Sequence, residues 1–338
     1  MLSALSASSN PSSIHFYSSS GGNAGLACVT AARALNRPAT VVVPLTTKPA
    51  MMQKIRDAGA WEVLQCGETW READAYLRES VIGGKRDGEG VEAVYVPPFD
   101  NPEIWRGNAT VLEEIAGQLE SQGLGAPDAV VCSVGGGGLF NGVVQGIMGR
   151  RSAKKGGASR AWERTQVLAV ETKGADSLAL ALERGEQSTL PAVTSQATSL
   201  GCSRVSSRTF ELASEFAGEG MVKNVVLSDA EAAMGSWRFA DDERVLVELA
   251  CGVSLAVCYG GRLERCLGRK VSKDENIVIV VCGGSNVSLS MIEGWRAEYG
   301  AKFEGEVDGL ASDCIKNHGI NSIHGHANGH TNGNAIPV

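Results

Sequence analysis

From Ile14 onward, short β-branched apolar runs alternate with longer stretches rich in Ala, Leu and polar residues. That alternation predicts parallel strands joined by crossover helices. Ile14 to Tyr17 reads as a strand and Ala24 to Leu35 as the helix after it. A strand at Ala39 to Val43, a helix near Ala50 to Ala58, a strand at Trp61 to Gln65, a helix near Trp70 to Ser80 and a strand at Ala93 to Val96 follow. Pro97-Pro98 closes this block, because the residue before a proline is pushed out of the helical region.

The second block opens with a long helix at Glu103 to Gln122, then strands at Ala129 to Val134 and Val167 to Glu171 with a helix at Leu139 to Met148 between them. Further helices are expected at Ser207 to Phe216, Ala230 to Phe239 and Leu249 to Leu263. Ile277 to Cys282 is a continuous apolar run of the kind buried on both faces of a parallel sheet, and Ser288 to Tyr299 reads as the closing helix. The chain divides into an atypical N-terminus (1–13), a small α/β lobe (14–98), a large α/β lobe (99–300) and a tail (301–338) expected to be disordered. The fold class is α/β, with two lobes of twisted, mostly parallel sheet flanked by helices.

Composition narrows the function. With 43% hydrophobic and 20% charged residues, the 338-residue chain has the make-up of a soluble globular protein with two cores. A formal net charge of −7, with Lys and Arg scattered, argues against nucleic acid and points to small-molecule partners. No apolar run is long enough to span a bilayer, and Met1 to Ser13 makes a poor signal peptide. Nine cysteines without a CxxC pair, several inside apolar runs, read as buried free thiols in a reducing cytoplasm.

Three glycine turns carry the candidate chemistry. Ser18-Ser19-Ser20-Gly21-Gly22-Asn23-Ala24-Gly25 lies between a strand and a helix, where close main-chain approach and helix-start N–H groups suit a carboxylate. An ordinary strand-to-helix turn with a Ser or Asn cap accounts for it equally well. Gly135-Gly136-Gly137-Gly138-Leu139 follows a buried strand and forms a cup of donors suited to a phosphate. It lacks the Gly-Lys-Ser/Thr of a nucleotide loop and does not match the dinucleotide fingerprint, so a single-phosphate cofactor is favoured. Cys282-Gly283-Gly284-Ser285-Asn286 follows the last strand, where Cys282 taken alone is more often a small core residue than a functional thiol.

With these turns in place, the chain resembles the catabolic serine/threonine dehydratases of pyridoxal-phosphate fold type II, the fungal and animal cytosolic type, from about Ile14 to Tyr299. Pro97 to Pro102 with Ile104-Trp105, Val170-Glu171-Thr172 and Val247 to Gly252 support the resemblance. It implies that Ser20, Gly21, Gly22 and Asn23 bind the substrate carboxylate, with Asn23 also reaching the phenolic oxygen of pyridoxal 5'-phosphate. Gly135, Gly136, Gly137, Gly138 and Leu139 would hold the cofactor phosphate and Cys282 would face the pyridine nitrogen. A monovalent cation, K+, would sit among Gly135, Glu171, Ala175, Ser177, Leu200 and Cys202.

In the family the Schiff-base lysine lies in a Ser-Phe-Lys segment upstream of the serine-rich loop. Here Met1 to Ser13 contain no lysine, so no catalytic residue is nominated. Lys48, Lys54, Lys154, Lys155 and Lys173 read as solvated surface charges. The resemblance implies α,β-elimination from L-serine or L-threonine in a cytoplasmic homodimer of amino-acid catabolism. A cofactor-binding inactive relative paired with an intact homologue, and an eliminating enzyme for another amino acid, are the alternatives.

Overall fold

The computed structural model describes residues 1–84, 90–152 and 161–300. The expected tail, Lys154 and Lys155 lie outside the described residues. Two four-stranded sheets organise the chain, and every strand pair is parallel.

The first sheet has the order β3-β2-β1-β4, built from β1 (Ile14–Ser18), β2 (Ala39–Val43), β3 (Glu62–Gln65) and β4 (Glu92–Tyr95). Period-two alternation sorts its side chains: Ile14, Phe16, Val41 and Val43 pack on one face with Cys28, Val29 and Ile55, while Tyr17 and Val42 pack on the other with Ala73 and Leu77. The second sheet, β7-β6-β5-β8, comprises β5 (Ala129–Ser133), β6 (Gln166–Thr172), β7 (Val222–Leu227) and β8 (Ile277–Ile279). Here Val130, Cys132, Val167 and Ala169 face one core, and Ala129, Val131, Leu168 and Val170 the other.

Both sheets reverse their order at the first strand laid down. After β1 the chain adds β2 and β3 on one side and β4 on the other; after β5 it adds β6 and β7, then β8 opposite. The loops leaving β1 and β5 therefore emerge at switch points, beyond the carboxyl ends of the strands, where open α/β sheets place ligands.

Several expectations need correction. Ile277 to Cys282 is no doubly buried strand: β8 ends at Ile279, pairs only with β5 among the described residues, and its three side chains are half-buried. Cys258 and Cys282 are exposed and Cys66, Cys202 and Cys266 half-buried, so the thiols are free but not uniformly interior. The expected helix at Leu249 to Leu263 is two helices, Leu249–Ala256 and Arg262–Leu267, broken where Gly260 (φ 62°) and Gly261 (φ 66°) turn left-handed. The helix expected at Trp70 to Ser80 changes at Tyr76 into a π-helical turn, Leu77–Ile82. Strand β7 and the helices Leu2–Ala7 and Ser177–Arg184 were not anticipated.

Many glycines serve helix packing rather than loops. A Cβ on Gly142 or Gly146 would collide with the helix Pro102–Ser121 at Asn108 and Leu112. Between the helices Asp229–Glu243 and Leu249–Ala256, Gly235 lies against the carbonyl of Gly252, and Gly252 against the carbonyl of Ala232. Gly252→Ala should therefore destabilise the protein by about 1–3 kcal/mol through overpacking, read as a lower urea midpoint; an unchanged midpoint would show that the two helices can separate at no cost.

Candidate active site

The serine-rich loop leaves β1 at Ser18 and enters the helix Asn23–Ala34. Ser19 is buried and its hydroxyl donates to Asp74 Oδ1 at 2.6 Å; the Tyr95 hydroxyl donates to the same oxygen. Asp74 thus braces the loop from below. The Tyr95 phenol is held well above its ordinary pKa, by burial first and by the Asp74 bond second. A Cβ on Gly25 would strike the Ser20 carbonyl, so the first helical turn and the loop are in direct contact. Gly22 caps the helix without a side-chain bond, leaving main-chain N–H groups directed outward beside the half-buried Ser20, Gly21 and Asn23. Such a helix start favours an anion.

The Asn23 side chain crosses to the large lobe. Its Nδ2 donates to Glu248 Oε1 (2.9 Å) and Ser199 Oγ (3.3 Å), and its Oδ1 accepts from the main-chain N–H (3.0 Å) and hydroxyl (2.8 Å) of Ser285.

The glycine cup leaves β5 and opens the helix Gly138–Ser152. No protein acceptor meets the main-chain N–H groups of Gly135 to Leu139 among the described residues, although Gly137 and Gly138 are buried. The glycines are required by their neighbours. Cβ atoms on Gly136, Gly137 and Gly138 would run into Phe99, the Thr209 side chain and the Phe99 backbone respectively, and Gly137 has φ +96°. A tight, donor-lined turn with no internal acceptor fits a phosphate group.

Cys282 follows β8, and the Ser133 hydroxyl at the end of β5 hydrogen-bonds its thiol. The residue is exposed toward solvent, but protein crowds the sulfur on the other side. That desolvation raises the thiol above its ordinary pKa, the Ser133 bond opposing it. Cys282 is therefore a neutral thiol beside the cup.

Glu171 is buried one residue before the end of β6. Its carboxylate accepts from the N–H of Leu178 (2.8 Å), the N–H of Ala179 (2.8 Å) and Asn224 Nδ2 (2.9 Å). Burial pushes its pKa up to about 7, against those three bonds. The nearby Ser177 hydroxyl is buried without a hydrogen-bond partner. Leu200 lies against Gly135, 3.2 Å from where a Cβ would be, and Cys202 donates its N–H to the Leu200 carbonyl at 2.6 Å. Ala175 is buried and bonded to the Thr172 carbonyl.

Lys54 is exposed, as expected of a surface charge, and its amine also bonds the Ser285 carbonyl, joining the helix Pro49–Asp57 to the turn after Cys282. Lys48 and Lys173 are exposed. Ser199 and Thr209 are site residues that the sequence did not single out, and Phe99, Glu248 and Ser285 lie in stretches quoted above but were given no role there; for Glu248 the signal was an acid directly before an apolar helix.

A family model described as pyridoxal-phosphate dependent enzyme matches residues 1–283. The chain belongs to that family. Among its relatives, an L-serine dehydratase of Saccharomyces cerevisiae (strain AWRI1631) is 43% identical over 272 residues, 80% of this chain and 76% of the yeast protein. A serine dehydratase-like protein of Rattus norvegicus is 40% identical over 281 residues, 82% of this chain and 78% of the rat protein. The solved structure of a fungal L-serine ammonia-lyase from Rhizomucor miehei superposes with a TM-score of 0.73 at 32% identity, covering 88% of this chain and 85% of that one. The two parallel sheets are thus those of the family's fold type II, and the donor cup suits the family's phosphate-bearing cofactor.

Glu171 gives the site a pH signature. Its folded pKa, about 7, lies above the ordinary 4.5, so the folded protein holds a proton that the unfolded chain releases. The associated stability is fully present below pH 4.5 and is lost as pH rises through about 7. The stability gap between Glu171→Gln and the parent should move in favour of the variant by an amount on the order of 3 kcal/mol from pH 5 to 8. Urea melts across that range check this, and a gap independent of pH would contradict the assignment.

Proposed function

We propose that this chain is an L-serine dehydratase, accepting L-threonine as a second substrate. The observation that carries the reading is the set of unpaired main-chain donors from Gly135 to Leu139, opening at one switch point while the bare helix start at Asn23 opens at the other. One anion site suits a cofactor phosphate and the other a substrate carboxylate. Pyridoxal phosphate, when bound, supplies the electron sink that makes the substrate Cα–H acidic. The reaction removes that proton and the β-hydroxyl as water, and hydrolysis of the resulting enamine gives pyruvate and ammonia.

In this reading Ser20, Gly21, Gly22 and the main-chain N–H of Asn23 orient the carboxylate, the Asn23 side chain being held by Glu248, Ser199 and Ser285, and Gly135 to Leu139 fix the phosphate. Cys282 meets the pyridine nitrogen as a neutral group. A thiol there does not stabilise a pyridinium, which favours elimination over transamination. A monovalent cation at Glu171, Ser177 and the carbonyls of Gly135, Ala175, Leu200 and Cys202 would compensate the buried carboxylate and satisfy the orphan Ser177 hydroxyl. A homodimer in the cytoplasm belongs to the same reading, in keeping with eight free cysteines among the described residues.

Titrating the protein with pyridoxal phosphate and assaying pyruvate from L-serine tests the assignment. Saturable binding is expected, with Gly137→Ala weakening it at least roughly tenfold; pyruvate formation as well would place the acceptor of the Cα proton on a lysine outside Met1 to Ser13, which contain none. Binding without pyruvate would assign the chain to the cofactor-binding, non-catalytic class, and absence of binding would overturn the reading. K+ should raise the unfolding midpoint more at pH 8 than at pH 5, since only the ionised Glu171 needs a counter-charge. An equal effect of Na+, K+ and a bulky organic cation at both pH values would remove the cation site.

A further inference from the structure

We propose that Glu248 is a positioning residue whose buried carboxylate ties the small-lobe serine loop to two large-lobe turns, and so sets how the two anion sites face each other. Glu248 is 4% exposed. Its carboxylate takes donors from three separate stretches: Asn23 Nδ2 (2.9 Å), the Ser199 hydroxyl, and the Asn286 N–H (2.6 Å). No Lys, Arg or His forms an ion pair with it among the described residues. A buried charge held by dipoles alone is costly unless those dipoles are fixed in place.

The surroundings fix them. Glu248 stands at the N-cap of the helix Leu249–Ala256, yet its side chain makes no capping bond. Short polar side chains in that position ordinarily cap their own helix; this longer carboxylate instead reaches Asn23, Ser199 and Asn286. Its N–H donates to the Gly283 carbonyl (2.9 Å), and its carbonyl accepts from Ser236 Oγ (3.3 Å). Gly284, at φ +96°, passes so close that a Cβ there would collide with the Glu248 side chain. The second half of the tie runs through Asn23, whose Oδ1 accepts twice from Ser285, and Lys54 then holds the Ser285 carbonyl. The carboxamide of Asn23 is thereby engaged at both ends by the large lobe. One carboxylate oxygen, Oε1, takes both the Asn23 amide and the Asn286 N–H, and the other takes the Ser199 hydroxyl, so a side chain with no oxygen at the Oε1 position would leave the two donors that join the lobes unpaired.

The reading of the cleft as a cofactor site enters only through the binding arm of the test. Hydrogen exchange would be followed on the full chain over residues 20–26 and 283–288, for Glu248→Leu, Glu248→Gln, Asn23→Leu and the double variant Glu248→Leu/Asn23→Leu. Glu248→Leu should lower protection of the Ser285 and Asn286 N–H groups by roughly tenfold or more, whereas Glu248→Gln should keep most of it, because its Oε1 can still take Asn23 and Asn286 while its N–H₂ turns to the Ser199 hydroxyl. The double variant should lose no more than the larger single loss, because both changes remove the same tie. Pyridoxal phosphate affinity should fall in the same order. Parent-like protection in Glu248→Leu, or a double-variant loss equal to the sum of the single losses, would overturn the proposal. If Glu248→Leu does not fold, Asn23→Leu alone decides: parent-like protection of the Ser285 and Asn286 N–H groups there would count against the tie. Failure of the parent to bind pyridoxal phosphate would remove the cofactor reading and leave the exchange result standing.

Discussion

A buried main-chain N–H without an acceptor costs about 1–3 kcal/mol, and the turn from Gly135 to Leu139 holds two such residues, Gly137 and Gly138, beside three less buried ones that also lack a protein acceptor among the described residues. The surrounding structure holds that arrangement instead of relieving it. Phe99 and Thr209 press against the glycines so closely that no Cβ would fit, and Leu200 closes the remaining side. Strand order then delivers the turn to a switch point, where an incoming anion can meet the donors. The unpaired donors and the packing that enforces them are two aspects of one feature.

Charge around this turn is managed by different means at different distances. At Cys282 the group facing the cleft is a neutral thiol, kept so by desolvation. At Glu171 burial has raised the carboxyl toward neutrality despite three hydrogen bonds, and an unsatisfied hydroxyl lies nearby. At Glu248 three donors from separate stretches surround the carboxylate, two of them in loops that must meet for the site to form. The first is an uncharged thiol, the second a carboxyl enclosed by main-chain and amide donors, and the third holds protein to protein.

The alternation of strands and helices was legible because buried parallel strands such as β2 and β5 carry unbroken β-branched runs. Strand β7 was not, since Lys223 and Asn224 interrupt its apolar residues at a sheet edge where one side need not be buried. The helix Ser177–Arg184 was missed because its Leu-Ala-Leu-Ala-Leu core has a period of two, the signature of a strand. The three glycine turns stood out from local sequence alone. The residues that join them did not: Asn23 and Glu248 are 225 positions apart, and nothing near either one signals the other.

Glycine content illustrates the limit of reading chemistry from composition. Forty-two glycines suggested many main-chain cradles for ligands, yet Gly142, Gly146, Gly235 and Gly252 sit inside helices, where they let neighbouring backbones approach. What separates the two uses is the state of the main-chain donors. In the helices each N–H beyond the first turn is consumed by a carbonyl four residues back; from Gly135 to Leu139 none has a protein acceptor among the described residues. A glycine points to a ligand site when its N–H is left unpaired by the fold, and to packing when it is not.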